Sequence, residues 1–197
     1  MYKLGITGGI GSGKSTASRF FELKGATIFD ADEESKRYLL SHIDLQNRII
    51  AIFGDQVTEN SRLDLSKLAE YIFSNKQYQN TLNKIIWPEI YSLIKSASEK
   101  ATLNDTDLFV VDAALLLESG YTDFFNSILL ITSHKSIRIR RIKMRQNIPT
   151  DQIEKRMALQ MSDSEKKKLV QNTIDNNRDL EELYMKLEQF YKKIIDR

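Results

Sequence analysis

The sequence predicts a three-layer α/β domain with a mainly parallel central sheet and a helical segment inserted within it. Three observations carry that prediction. Short apolar runs that read as buried strands alternate with segments of helical period. The stretch 33–101 shows almost only helical spacing, after which strand signals return. Four of the eight glycines fall between Gly8 and Gly13, in the turn that joins the first strand to the first helix.

Taken in order, Tyr2–Thr7 reads as a short buried strand and Gly13–Leu23 as the helix after it. A second strand, Ala26–Phe29, runs into Asp30-Ala31-Asp32. Helical signals follow at Tyr38 to Leu40, Ile49 to Phe53 and Leu68 to Phe73. They continue through Leu82, Ile85, Ile86, Ile90, Leu93 and Ile94. Pro88 is expected to kink or restart a helix, because it lacks an amide hydrogen and crowds the preceding turn. Strands resume at Leu108–Val111 and Ile128–Ile131. Leu180, Leu183, Tyr184, Leu187, Phe190, Tyr191, Ile194 and Ile195 share one face of a final helix, a core-packing pattern. Because the strand signals resume after the helical stretch, 33–101 reads as an insertion within one domain spanning 1–197.

The 197 residues suffice to bury a core without staples. Hydrophobic residues make up 41% and charged residues 28%, ordinary globular values. The absence of cysteine excludes disulfides and thiolate metal sites and allows a reducing, cytoplasmic setting. No cationic leader precedes an apolar run, and no stretch reaches the length of a membrane span. With 29 basic against 27 acidic residues, the charge is too balanced for bulk binding of nucleic acid.

Gly8-x-x-x-x-Gly13-Lys14-Ser15 satisfies G-x-x-x-x-G-K-[ST] between a predicted strand and a predicted helix. In such a loop the backbone N–H groups of Gly9, Ile10, Gly11, Ser12, Gly13 and their neighbours turn inward as an anion nest, capped by a helix N-terminus. Lys14 would reach the β and γ phosphates of a nucleotide, and Ser15 would offer its hydroxyl to Mg²⁺. This loop serves GTPases, motor ATPases and small-molecule kinases alike. A guanine-reading N-K-x-D is lacking, since Asn75-Lys76 and Asn83-Lys84 continue differently.

Two further features narrow the class. Asp30-Ala31-Asp32 lies at the carboxyl edge of a strand, where ligands bind in such sheets. Its carboxylates would project to one side if the strand stays extended, and one could take a proton from an acceptor hydroxyl. Alternatively, Asp32 caps the following helix. Arg138, Arg141 and Arg145 fall at i, i+3 and i+7 on a helical stretch, a stripe that either faces an anion such as ATP phosphate or lies solvated.

The ordered set of segments resembles the dephospho-coenzyme A kinase family from end to end. It comprises GITGGIGSGKST, IFDAD, Pro88 in IIWPEI, VDAALLLE ending at Glu118, RRIKMR, Arg156 to Gln160 in RMALQ, and IDNN at 174–177. The resemblance implies a P-loop kinase fold and transfer of the ATP γ-phosphoryl group to the ribose 3′-hydroxyl of dephospho-coenzyme A. Gly11 to Thr16 would bind ATP, Asp32 would act on the hydroxyl, and Arg141 would stabilise the transferring group. Arg145 would lie by the nucleotide and Asn176 near the adenine. Segment 33–101 would receive the acceptor, and 135–165 would form a lid. Asp112, at the end of a predicted strand, either holds Mg²⁺ through water or is a structural acid. The protein would act in the cytoplasm as a monomer or weak homo-oligomer, without a nucleic-acid or membrane partner.

The chain departs from the family pattern in several places. Trp87 replaces a histidine before the proline, and Ala114 replaces the proline of D-x-P-L-L-F-E. Gln171-Asn172 replaces an Ala-Asp pair, and Arg178 stands where glycine is frequent. Lys14, Ser15, Asp32 and Arg141 are unaffected. A kinase for another nucleoside-like or sugar hydroxyl, and a nucleotide binder without turnover, remain the sequence-level alternatives.

Overall fold

The computed structural model describes residues 1–72, 74–146 and 148–196. Its strands are β1 (Tyr2–Thr7), β2 (Thr27–Asp30), β3 (Thr58–Glu59), β4 (Arg62–Leu63), β5 (Leu108–Asp112), β6 (Ser127–Thr132) and β7 (Asn172–Asp175). The helices are α1 (Lys14–Leu23), α2 (Ala31–Ser41), α3 (Ile43–Phe53), α4 (Leu65–Ile72), α5 (Lys76–Leu103), α6 (Lys135–Arg145), α7 (Thr150–Leu159), α8 (Asp163–Leu169) and α9 (Leu180–Ile195). Five strands form one all-parallel sheet in the order β2-β5-β1-β6-β7. With β1 at its centre, the chain leaves β1 for one flank and later returns to the other. The crevice at the carboxyl ends of the strands is therefore where a ligand is expected.

Two apolar layers sandwich the sheet, as the near-continuous burial of β1, β5 and β6 requires. On one face, Leu4, Ile6, Val110, Leu129 and Ile131 pack with Phe20 and Phe21 of α1 and with Leu183, Leu187, Phe190 and Ile194 of α9. On the other, Phe109, Val111 and Ile128 pack with Ile90, Ile94 and Ala101 of α5. Leu180 and Ile195, expected on the buried face of α9, are exposed at its ends. A third cluster, Leu39, Leu45, Ile49, Phe53, Val57, Leu68, Ile72 and Ile85, gives the segment between β2 and β5 an apolar core of its own.

Two expectations for that segment are corrected. It is not purely helical, because Thr58–Leu63 forms a small antiparallel hairpin. Its turn places Asn60 and Ser61 at φ 49° and 59°, the left-handed pair that closes a two-residue hairpin without glycine. Helix α5 also continues through Pro88 without restarting there. The hydrogen bond that proline forgoes is offset there by burial of Ile85, Ile90 and Ile94 along the same helix. Phe73, the end of one helical signal, lies outside the described residues. Among the described residues, no helix is long and apolar enough to cross a membrane.

Candidate active site

The loop between β1 and α1 is held open by its neighbours. At Gly13, φ is 106°, and an added Cβ would stand 2.2 Å from Asn176 Nδ2, so only glycine fits. At Gly9, a Cβ would meet Arg138 Nη2 at 2.1 Å. Arg138 donates from Nε to the Ile10 carbonyl at 2.8 Å, and the Ile10 N–H donates to Gln160 Oε1 at 3.0 Å. These contacts from Arg138 and Gln160 brace the curl of the loop. Among the described residues, the amides of Gly11, Gly13, Lys14 and Ser15 have no internal hydrogen-bond partner. These donors at the start of α1, next to Lys14, fit a polyphosphate. The Ser15 hydroxyl is exposed on the same turn, beside half-buried Thr16. Ser12 is fully buried, and its hydroxyl has no partner among the described residues.

Across the loop, the sheet places carboxylates. The β2–β5 register pairs Asp30 with Asp112 at the carboxyl edge. Neither expectation for Asp30-Ala31-Asp32 holds as framed. The strand ends at Asp30, whose side chain accepts from Glu33 N at 2.9 Å and caps α2. Asp32 is left on the first helical turn, where its carboxylate accepts from the Ala114 N–H at 3.2 and 3.4 Å. Asp32 is exposed at its surface while protein packs around the rest of it. Burial raises its pKa, and Lys14, the Ala114 N–H and Lys166 pull it back down.

Asp112 is only 5% exposed, and its Oδ2 accepts from Ser18 Oγ at 2.7 Å. Burial lifts its pKa from the ordinary 3.8 to about 6, against the lowering effects of Lys14 and the Ser18 hydroxyl. The native state therefore binds this proton more tightly than the unfolded chain does. The ionised carboxylate costs about 3 kcal/mol above pH 6, a cost that vanishes as pH falls toward 3.8. In nucleotide-free, metal-free protein, Asp112→Asn should raise stability at pH 8 by about 1–3 kcal/mol. The advantage should disappear near the ordinary Asp value, as urea melts at the two pH values will show.

Ser15 and Asp112 are hard oxygen donors near Lys14. They suit Mg²⁺, which takes one or two carboxylates plus phosphate oxygens and keeps several waters. No group of three or more carboxylate or imidazole side chains forms a protein cage for a metal among the described residues.

The arginine stripe divides. Arg138 is 9% exposed and lies 3.5 Å from Asp163, so it braces the loop instead of facing solvent. Arg141 donates to Asn176 Oδ1 at 3.2 Å and to Ser12 O and Ser133 Oγ at 3.5 Å. Asn176 in turn donates to the Ser12 carbonyl at 2.8 Å. Its amide is thus engaged with the loop and with Arg141, while one edge lines a cavity of about 170 Å³ with Gly13, Thr16, Arg145 and Leu180. A second cavity, of about 350 Å³, lies between α5 and the segment after β5. Trp87, Pro88, Asn83, Glu118 and Tyr121 are among its walls.

Sequence reasoning missed Arg138 as a brace, along with Ser18, Gln160 and Lys166. Lys166 is completely buried, donates to the Ala114 carbonyl at 2.7 Å and lies 3.5 Å from Glu118. Nothing local marks it in a run of three lysines.

Comparison with known proteins agrees with this geometry. The family described as dephospho-CoA kinase (CoaE) matches residues 2–182. A dephospho-CoA kinase of Fusobacterium nucleatum is 36% identical over 192 residues, covering 97% of each chain. One from Salinibacter ruber is 32% identical, covering 97% of this chain and 96% of its own. Among solved structures, TT1252 from Thermus thermophilus superposes with a TM-score of 0.78 at 27% identity, covering 99% of this chain and 96% of that one. With the match running through nearly all of its length, loop, acid and arginine helix included, the chain belongs to the dephospho-CoA kinase family.

Proposed function

We propose that the protein transfers the γ-phosphoryl group of ATP to the ribose 3′-hydroxyl of dephospho-coenzyme A, yielding coenzyme A and ADP in the last step of coenzyme A synthesis. The observation that carries the reading is the position of Asp32. It is a carboxylate not used as the helix cap, in the same cleft as the open amides of the phosphate loop and within electrostatic reach of Lys14.

In this reading, the open amides of Gly11, Gly13, Lys14 and Ser15 and the Lys14 ammonium hold the β and γ phosphates. The acceptor oxygen bonds to the γ-phosphorus as the bond to the β-γ bridging oxygen breaks. The hydroxyl proton passes to Asp32, and the charge on the departing ADP oxygen is met by Lys14. Arg141, already beside Ser12 and Asn176, stabilises the charge spread over the transferring group. Ser15 and Asp112 would hold Mg²⁺, which when bound would neutralise charge on the phosphate oxygens. The adenine of ATP occupies the cavity bounded by Gly13, Arg145, Asn176 and Leu180. Segment 33–101 receives the acceptor, and 135–165, carrying α6 and α7, acts as a lid that excludes water as a competing acceptor. The enzyme works in the cytoplasm as a monomer or weak homo-oligomer.

Purified protein with ATP, Mg²⁺ and dephospho-coenzyme A should form coenzyme A and ADP in equal amounts. Folded protein that forms neither product refutes the reading, and preference for another acceptor in a panel of nucleosides and sugars corrects it. Trp87 walls the larger cavity, whose volume of about 350 Å³ lies in the range of ligand pockets. Trp87→Ala should raise KM for dephospho-coenzyme A by about tenfold, the loss of a large buried contact, and leave KM for ATP within about twofold.

A further inference from the structure

Ala114 makes two contacts that meet from opposite sides. Its carbonyl accepts from Lys166 Nζ at 2.7 Å and from Thr7 Oγ1 at 3.3 Å. Its N–H faces both oxygens of Asp32, at 3.2 and 3.4 Å. Lys166 is itself fixed. It is 0% exposed, and Glu118 Oε1, which stands 3.5 Å from the ammonium, also accepts from Met161 N at 3.1 Å. Helix α8, which carries Lys166, opens with a capping box at Ser162 and Glu165, and its first residue, Asp163, lies 3.5 Å from Arg138 under the phosphate loop. A lysine buried this completely is costly unless its contacts are needed. Lys166 acts on Asp32 in two ways, through its own charge and through the Ala114 carbonyl it grips.

We infer that Ala114 and Lys166 are positioning residues for Asp32: Lys166 clamps the Ala114 carbonyl, and the clamped residue presents its N–H to the carboxylate. The inference rests on the reading of Asp32 as the proton acceptor. It depends on the residue at 114 having an N–H, which a proline there would lack. An acceptor carboxylate held by one fixed donor keeps a single orientation toward the incoming hydroxyl. The same donor also makes the carboxylate a weaker base, since it favours the ionised form. The charged groups facing Asp32 are Lys14 from α1, Asp30 from the end of β2, Asp112 from β5 and Lys166 from α8. Removing the Ala114 N–H leaves all four in place.

The test is Ala114→Pro, which deletes this one donor. It should lower kcat by about three- to tenfold, on the order of one hydrogen bond to a charged group, with KM for ATP within about twofold. The acid limb of kcat against pH should move to higher pH, as loss of the donor requires. Lys166→Met should lower kcat by about 10–100-fold, the scale of a small displacement of a reacting group. Because Lys166→Met leaves Glu118 charged and unpaired, it is compared both alone and as Lys166→Met/Glu118→Gln against Glu118→Gln.

In an Asp32→Asn background, each change should cost less than about twofold, since residues acting through one group are not additive. Where that background turns over too slowly to measure, the Ala114 amide resonance in Lys166→Met decides. It should move from its wild-type position. Full multiplication of the Lys166→Met loss onto slow Asp32→Asn, an unmoved acid limb in Ala114→Pro, or an unmoved Ala114 resonance would each overturn the inference and leave the base assignment intact. Wild-type turnover in Asp32→Asn would overturn the base assignment, and the inference with it.

Discussion

Lys14→Ala should reduce kcat/KM for ATP by about 10³-fold or more, the scale seen when a donor aimed at developing charge is removed from a closed site. Both parameters should suffer, because the ammonium contacts the phosphates in the ground state and meets more charge as the bond to the leaving oxygen breaks. Lys14→Arg should not restore the rate. A planar, forked guanidinium cannot take the place of a compact ammonium inside a loop whose glycines leave no room for a Cβ. A second effect is readable without substrate. Lys14 is the main charge that lowers the pKa values of Asp32 and Asp112 against the raising effect of burial. Its loss should push both carboxyl groups higher and make their ionised forms costlier. Lys14→Ala is therefore expected to be less stable than wild type near pH 8. The deficit should shrink as pH falls through about 6, where Asp112 takes up its proton. Turnover within threefold of wild type would remove Lys14 from the reaction. A stability deficit independent of pH would remove it from the carboxylate cluster.

The parts of this site that the sequence made legible are those encoded in consecutive residues. Tyr2 to Thr16 specify a strand, a curl and a helix start within one short stretch, so the phosphate loop and β1 are readable directly. The apolar runs of β5 and β6 are buried on both faces, and such runs stand out. What failed to show depends on chain segments far apart. Arg138 looks like one member of a solvated stripe until Asp163 and the Ile10 carbonyl, brought from either side in sequence, enclose it. Lys166 sits between an acid 48 residues earlier and two lysines that stay exposed. The hairpin at 58–63 escaped because Asn60-Ser61 does the work usually signalled by glycine. The Asp30-Ala31-Asp32 question turned on where β2 ends. Had it extended two residues further, both carboxylates would have belonged to the strand, whereas Asp30 now caps α2 and Asp32 in its first turn is left uncommitted to the cap.

That placement makes Asp32→Asn the sharper test of mechanism. The exchange preserves shape and leaves an amide oxygen to accept from the Ala114 N–H, so the surroundings need not rearrange. It removes only the ability to accept the hydroxyl proton and one negative charge. The rate should fall by about 10²–10⁴-fold, the range for a positioned general base, while KM for ATP stays within about twofold. Burial raises the Asp32 pKa, so wild-type kcat should fall on the acid side at a pH above the ordinary aspartate range. The variant should lack that limb. A helix-capping role makes a different forecast, and the structure assigns that role elsewhere. Asp30→Ala, which removes the bond to the Glu33 N–H, should cost about 1 kcal/mol of stability. Its loss of turnover should be far smaller than that of Asp32→Asn. Asp32→Asn itself should melt no earlier than wild type at neutral pH, because it exchanges a desolvated charge for a neutral amide. If instead Asp32→Asn melts early and turns over normally, the carboxylate serves the helix, and the hydroxyl must lose its proton to another group in the cleft.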